Sequence, residues 1–228
     1  MDGLPFADII ILGLIAVFIV LRLRNTLGKE VGHKPDLEDL RNRLEGKPVE
    51  EKVVDMQGQP APAADEKTVK AEAAAREAIG DLGLLAGVDA IAAVDANFSI
   101  NGFLEGAKGA FEWVLKAYSA GDVDTLKMLL AAPIFEEFNH ALEAAKAQNT
   151  KTETTLVAIK DAQILAASLE KNIARVTVRF VSDQVEVVRD AEGKIIDGDP
   201  SKTEVVEDQW VFERDVKSRN PNWMVMDT

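Results

Sequence analysis

The chain is 228 residues long, 47% apolar and 29% charged, with a formal net charge of −13. That length and apolar content accommodate one ordinary globular domain plus a tether. The acidity works against nucleic-acid phosphates, so no broad DNA- or RNA-binding face is expected. The absence of cysteine excludes disulfides, thiolate nucleophiles and cysteine-based zinc sites. His33 and His140 are the only histidines, so a multi-histidine metal centre within one chain is excluded as well.

The chain opens on an apolar run, Ile9 to Leu21, which widens to Leu4–Leu23 if Asp8 and Arg22 sit near the headgroups. Twenty residues at about 1.5 Å each match a hydrocarbon core of about 30 Å. Residues 1–24 are therefore expected to form a transmembrane anchor. A cleaved signal would start basic and end in a small-x-small site. Here Met1-Asp2-Gly3 precedes the run and Arg22-Leu23-Arg24 follows it. Arg22, Arg24, Lys29 and Lys34 all follow the run, which predicts a single pass with the bulk of the chain on the cytoplasmic side. The same cations either fix topology only or also attract anionic lipid, at about 1 kcal/mol each.

Residues 25–66 read as a juxtamembrane helix and linker. Leu37, Leu40 and Leu44 share one helical face after Asp36, and Gly46 stops it. The following segment, with Pro48, Pro60 and Pro62 among acids and alanines, has no apolar period. Residues 67–97 read as a helical extension: Thr68–Ile79 is rich in strong helix formers and ends at Gly80, and Leu82–Val94 carries small and aliphatic residues.

From residue 98 to 228 a globular domain is expected. Phe103, Ala107, Phe111, Val114, Leu115 and Tyr118 make one face of a helix that Gly121 ends. Asp122 caps a short helix, and Pro133 opens a third carrying Phe135, Phe138 and Leu142. After Asn149 the period changes to two. Strands are expected over Thr154–Leu169, Ile173–Val188, Glu204–Val216 and Trp223–Met226. In the second of these, Val176, Val178 and Phe180 alternate with Arg175, Thr177 and Arg179. Helices followed by antiparallel strands define an α+β fold. A curved sheet packed on one face would give a cone whose cavity Phe180, Trp210, Phe212 and Trp223 could line; equally, these rings could simply fill the core.

Three motifs resemble the Tim44-like domain family. They are Gly102-Phe103-Leu104-Glu105-Gly106-Ala107-Lys108-Gly109-Ala110-Phe111, Glu207-Asp208-Gln209-Trp210-Val211-Phe212-Glu213-Arg214 and Asn220-Pro221-Asn222-Trp223. The short anchor before them is similar to that of α-proteobacterial members. The resemblance implies the nuclear-transport-factor-two-like cone with an apolar pocket, preceded by one transmembrane helix. It also implies a non-catalytic lipid- or protein-binding scaffold at the bacterial inner membrane, with a link to protein translocation or membrane-protein assembly as the expected setting. Its expected partners are anionic phospholipid, cardiolipin among them, and a protein; no cofactor or metal is expected. The expected lipid- or ligand-binding residues are Arg22, Arg24, Lys29, Phe180, Trp210, Phe212 and Trp223.

The same cone also hosts isomerases and dehydratases. The acid–base candidates for that alternative are Asp183, Glu207, Asp208, His140 and Tyr118, with no local spacing that pairs them. Arg175 and Arg179 offer one local basic patch on an otherwise acidic domain.

Overall fold

The computed structural model describes residues 66–228. The expected anchor, the juxtamembrane helix and most of the linker lie outside the described residues. Five helices come first: α1 (Glu66–Ala78), α2 (Leu82–Val94), α3 (Ile100–Ala120), α4 (Val123–Leu129) and α5 (Ala132–Ala147). Five strands follow: β1 (Lys151–Glu170), β2 (Ile173–Arg189), β3 (Ile195–Gly198), β4 (Glu204–Asp215) and β5 (Met224–Asp227). Among the described residues, no helix is long and apolar enough to cross a membrane.

The helix ends follow local chemistry. Asp81, Ser99 and Asp122 each accept a backbone N–H in the first turn of α2, α3 and α4. Gly121 closes α3 in the left-handed region at φ 70°, a conformation that costs glycine nothing. Proline stands in the first turn of α5.

The strands form one antiparallel sheet in the order β1-β2-β4-β5, with β3 paired to the far end of β2. In β2 every second residue from Ala174 to Gln184 is buried, and these side chains face the helices. The expected alternation of Val176, Val178 and Phe180 is therefore observed. Strand β1 lacks that simple period because three register shifts interrupt it, between Leu156 and Ala158, Ile159 and Asp161, and Ile164 and Ala166. Each bulge resets the pleat. As a result Leu156, Ile159, Ala162, Ile164, Ala167 and Leu169 oppose the inward residues of β2 despite their irregular spacing. Val157 and Leu165 fall at the bulges and are exposed.

Helices α2 and α3 pack on this inner face. Val88 and Ile91 of α2 and Phe103, Ala107, Phe111, Val114 and Ala117 of α3 join Val176, Val178, Phe180, Trp210 and Phe212 in one core. Gly87 lets α2 sit directly on β1, since a Cβ there would lie 1.9 Å from the Ala167 carbonyl oxygen. At the C-terminal end of α3, the Ser119 hydroxyl donates to the Thr154 carbonyl at 3.0 Å and accepts from its N–H at 2.8 Å. Ala131 donates to the Val225 carbonyl at 2.8 Å, holding the α4–α5 joint on β5.

Candidate functional site

The inner face of the sheet changes character along its length. Pairing places Ala174 opposite Arg214, Val176 opposite Phe212, Val178 opposite Trp210, Phe180 opposite Asp208 and Ser182 opposite Val206. Directly opposed residues share a face, so β2 and β4 together present an apolar middle between two polar ends.

The middle is aromatic. Phe111 of α3 stacks on Phe180 at 4.6 Å between ring centroids and tilts against Trp210 at 4.9 Å. Phe180 meets Trp210 at 5.9 Å and Phe212 at 6.4 Å, both edge to face. Phe103 carries the chain onward, from Phe212 at 5.7 Å to Trp223 at 4.9 Å. Trp223 in turn approaches Phe98 at 6.1 Å. Such offset and edge contacts add about 0.5–1.5 kcal/mol per pair to area burial. Phe180, Trp210 and Phe212 are buried, and Trp223 is half-buried. The structure thus brings the four aromatics singled out from the sequence into one connected set. It adds Phe103 and Phe111, whose shared helical face marked them as core without linking them to these rings.

One end of the inner face is a buried ion pair. Arg214 Nη1 donates to Asp95 Oδ2 at 2.8 Å, with side chains 14% and 6% exposed. Arg214 Nε is buried without a partner among the described residues. At the other end Ser182 and Gln184 are buried, and Gln184 Nε2 donates to Ser182 Oγ at 2.8 Å. Tyr118 lies near this end with its ring edge-on to Phe138 at 5.4 Å. Burial foremost, and then the negative charge of Glu186, push its hydroxyl pKa above the ordinary value.

The remaining acid–base candidates do not converge. Asp183 faces outward and pairs with Lys160 at 2.7 Å. Glu207 is also on the outer face, 3.4 Å from Arg179. Asp208 is on the inner face, opposite Phe180. His140 is exposed on α5. The basic patch is neutralised where it stands: Arg175 pairs with Glu213 at 2.6 Å, and Arg179 with Asp161 at 3.3 Å as well as with Glu207. Cross-strand spacing sets these pairs, which the sequence of β2 alone could not show. Arg22, Arg24 and Lys29 lie outside the described residues.

Helices laid on one face of an antiparallel sheet, over a continuous aromatic middle, define an α+β domain built around an apolar inner face. Residues 85–228 match the model of the Tim44-like domain, and the chain belongs to that family. The match takes in most of α2 as well as everything after it. Among curated proteins, the chain is 24% identical over 116 residues to the mouse mitochondrial import inner membrane translocase subunit TIM44. It is 25% identical over 116 residues to the human protein of that name and 23% identical over 120 residues to Arabidopsis thaliana TIM44-1. These alignments cover 50%, 50% and 53% of this chain, but only 26%, 26% and 25% of the relatives. The chain therefore spans about a quarter of the length of the curated relatives it matches. A solved structure of the intermembrane-space region of the chloroplast protein ARC6 aligns at TM-score 0.36 and 10% identity, covering 54% of this chain and 92% of that one.

Proposed function

We propose that this chain is a membrane-tethered, non-catalytic scaffold whose Tim44-like domain receives an apolar segment of a partner, or an acyl chain, at the inner face. The anchor is residues 1–24, and the domain stands on the cytoplasmic side of a bacterial inner membrane. Arg22, Arg24 and Lys29 meet anionic phospholipid, cardiolipin included, beside the anchor. The domain takes the nuclear-transport-factor-two-like cone form, with Phe180, Trp210, Phe212 and Trp223 walling its binding face. A role in protein translocation or membrane-protein assembly is supported by the family and by the names of the mouse, human and plant relatives.

The observation that carries the reading is the continuous aromatic middle of the inner face in a domain of this family. The positions of Asp183 and Glu207 also favour binding over catalysis. Each is engaged with a cation on the face opposite the aromatics.

Two measurements test it. Full-length protein should stay in the membrane pellet after alkaline carbonate, while a chain lacking residues 1–24 should move to the supernatant. A photocrosslinker at the position of the half-buried Trp223 should then capture a lipid or a protein in the membrane fraction, identified by mass spectrometry. Full-length protein released by carbonate would overturn the tether. An empty crosslink would overturn the inner-face binding site while leaving the tether standing.

A further inference from the structure

Helix α1 is fastened to the domain mainly by one carboxylate. Glu72 Oε1 accepts the backbone N–H of Ile100 at 2.7 Å. Its Oε2 accepts the backbone N–H of Asn101 at 3.2 Å and Asn101 Nδ2 at 3.2 Å. The two backbone donors belong to the first turn of α3, where intrahelical acceptors are missing. Ser99, the N-cap, satisfies only Gly102. A side chain 28 residues upstream thus completes the cap of the longest described helix. Hydrogen bonds to a charged acceptor are the strong ones, and a helix N-terminus favours a negative charge.

Among the described residues, little else holds α1. Arg76, one turn after Glu72, pairs with Asp89 of α2, but both side chains are substantially exposed, and such pairs contribute little. Ala75 and Ile79 are only partly buried against the core, and Val69 is 56% exposed. The helix ends beside Gly80, around which nothing lies within 4 Å of an added Cβ. By contrast, α2 is seated by the fully buried Val88 and Ile91.

We propose that α1 is a releasable strap. It closes through Glu72 onto the start of α3 and lifts about Gly80 while α2, α3 and the sheet stay folded. The upstream chain is covalently continuous with α1, so a pull on it is transmitted to this latch. The latch follows from the α1–α3 contacts alone and holds whether or not the upstream residues form an anchor.

Hydrogen–deuterium exchange on the full-length protein, in mild detergent, tests it. In the wild type, amides of residues 70–78 should exchange at least ten-fold faster than those of 176–180 in β2. Glu72→Ala should speed exchange in α1 and at Ile100 and Asn101 about ten-fold further, leaving β2 and β4 unchanged. Glu72→Gln, which keeps the shape and removes the charge, should fall between. Wild-type α1 protected as well as β2 would overturn the strap. So would a Glu72→Ala chain in which α1 and the sheet open together, or one in which α1 exchange does not change.

Discussion

Replacing Gly87 by alanine sets two well-defined effects against each other. In a helix interior, alanine is favoured over glycine by about 1 kcal/mol, so propensity alone predicts a more stable protein. The structure predicts the opposite. The added Cβ would lie 1.9 Å from the Ala167 carbonyl oxygen and 2.6 Å from its carbon. That neighbour is β1 backbone, which cannot rotate aside as a side chain would. To reach an ordinary separation, α2 must rise from the sheet by about 1.5 Å. A gap of that size forfeits about half or more of each dispersion contact across the interface, and Val88 and Ile91 are the residues that lose them. Overpacking of this kind costs about 3 kcal/mol at the upper end of its range. Subtracting the propensity gain leaves a net loss of about 2 kcal/mol. Gly106→Ala is the control, because it lies in α3 with nothing within 4 Å of the new methyl, and it should gain about 0.5–1 kcal/mol. Urea unfolding followed by tryptophan fluorescence reads both, since Trp210 is buried. With a slope of about 2 kcal/mol per molar, the two midpoints should fall about 1.5 M apart, on opposite sides of wild type. A Gly87→Ala protein as stable as Gly106→Ala would refute the direct seating of α2 on β1.

Three further outcomes follow from the inner face. Phe180→Ala removes a ring that touches Phe111, Trp210 and Phe212 and should cost about 3–5 kcal/mol in the same urea assay. Asp95→Ala leaves the largely buried Arg214 guanidinium uncompensated and should cost about 3 kcal/mol; adding Arg214→Met should recover part of that loss, as a double-mutant cycle would show. Because the folded state raises the Tyr118 pKa above 10.0, it holds that proton more tightly than the unfolded chain does. Its contribution is therefore intact below about pH 10 and is lost as pH rises beyond it. Tyr118→Phe should flatten the alkaline limb of stability against pH, and an unchanged limb would mean that the hydroxyl is not in that environment.

Much of the fold is legible in the sequence because local chemistry and tertiary packing agree there. The Leu82–Val94 helix, the Gly121 stop, the Asp122 cap and the β2 alternation all have short-range causes. Strand β1 is legible as a strand but not as a face. Its inward residues fall at intervals of three, three, two, three and two, which match no single period until the bulges are known. The four-residue β3 lies between two turn signals and is too short to show a period. The candidate site divides in the same way. Phe180, Trp210 and Phe212 alternate visibly along their strands. By contrast, Asp95 finds Arg214 across 119 residues and Glu72 finds Ile100 across 28, pairings that no local spacing encodes.

The bulges in β1 also explain why the two faces of the sheet can be so unlike. Asp161 and Gln163 both reach Arg179 on the outer face, while Ala162 and Ile164 between and after them point into the core. Slipping β1 by one residue would bury Asp161 against Phe180 and expose Ile164. Burying an unpaired carboxylate is far costlier than exposing one aliphatic side chain, so the charges on the outer face fix the register that keeps the inner face apolar. The apolar stretch of the inner face is thereby bounded by Asp208, Ser182 and Gln184 towards one end and by Asp95 with Arg214 at the other.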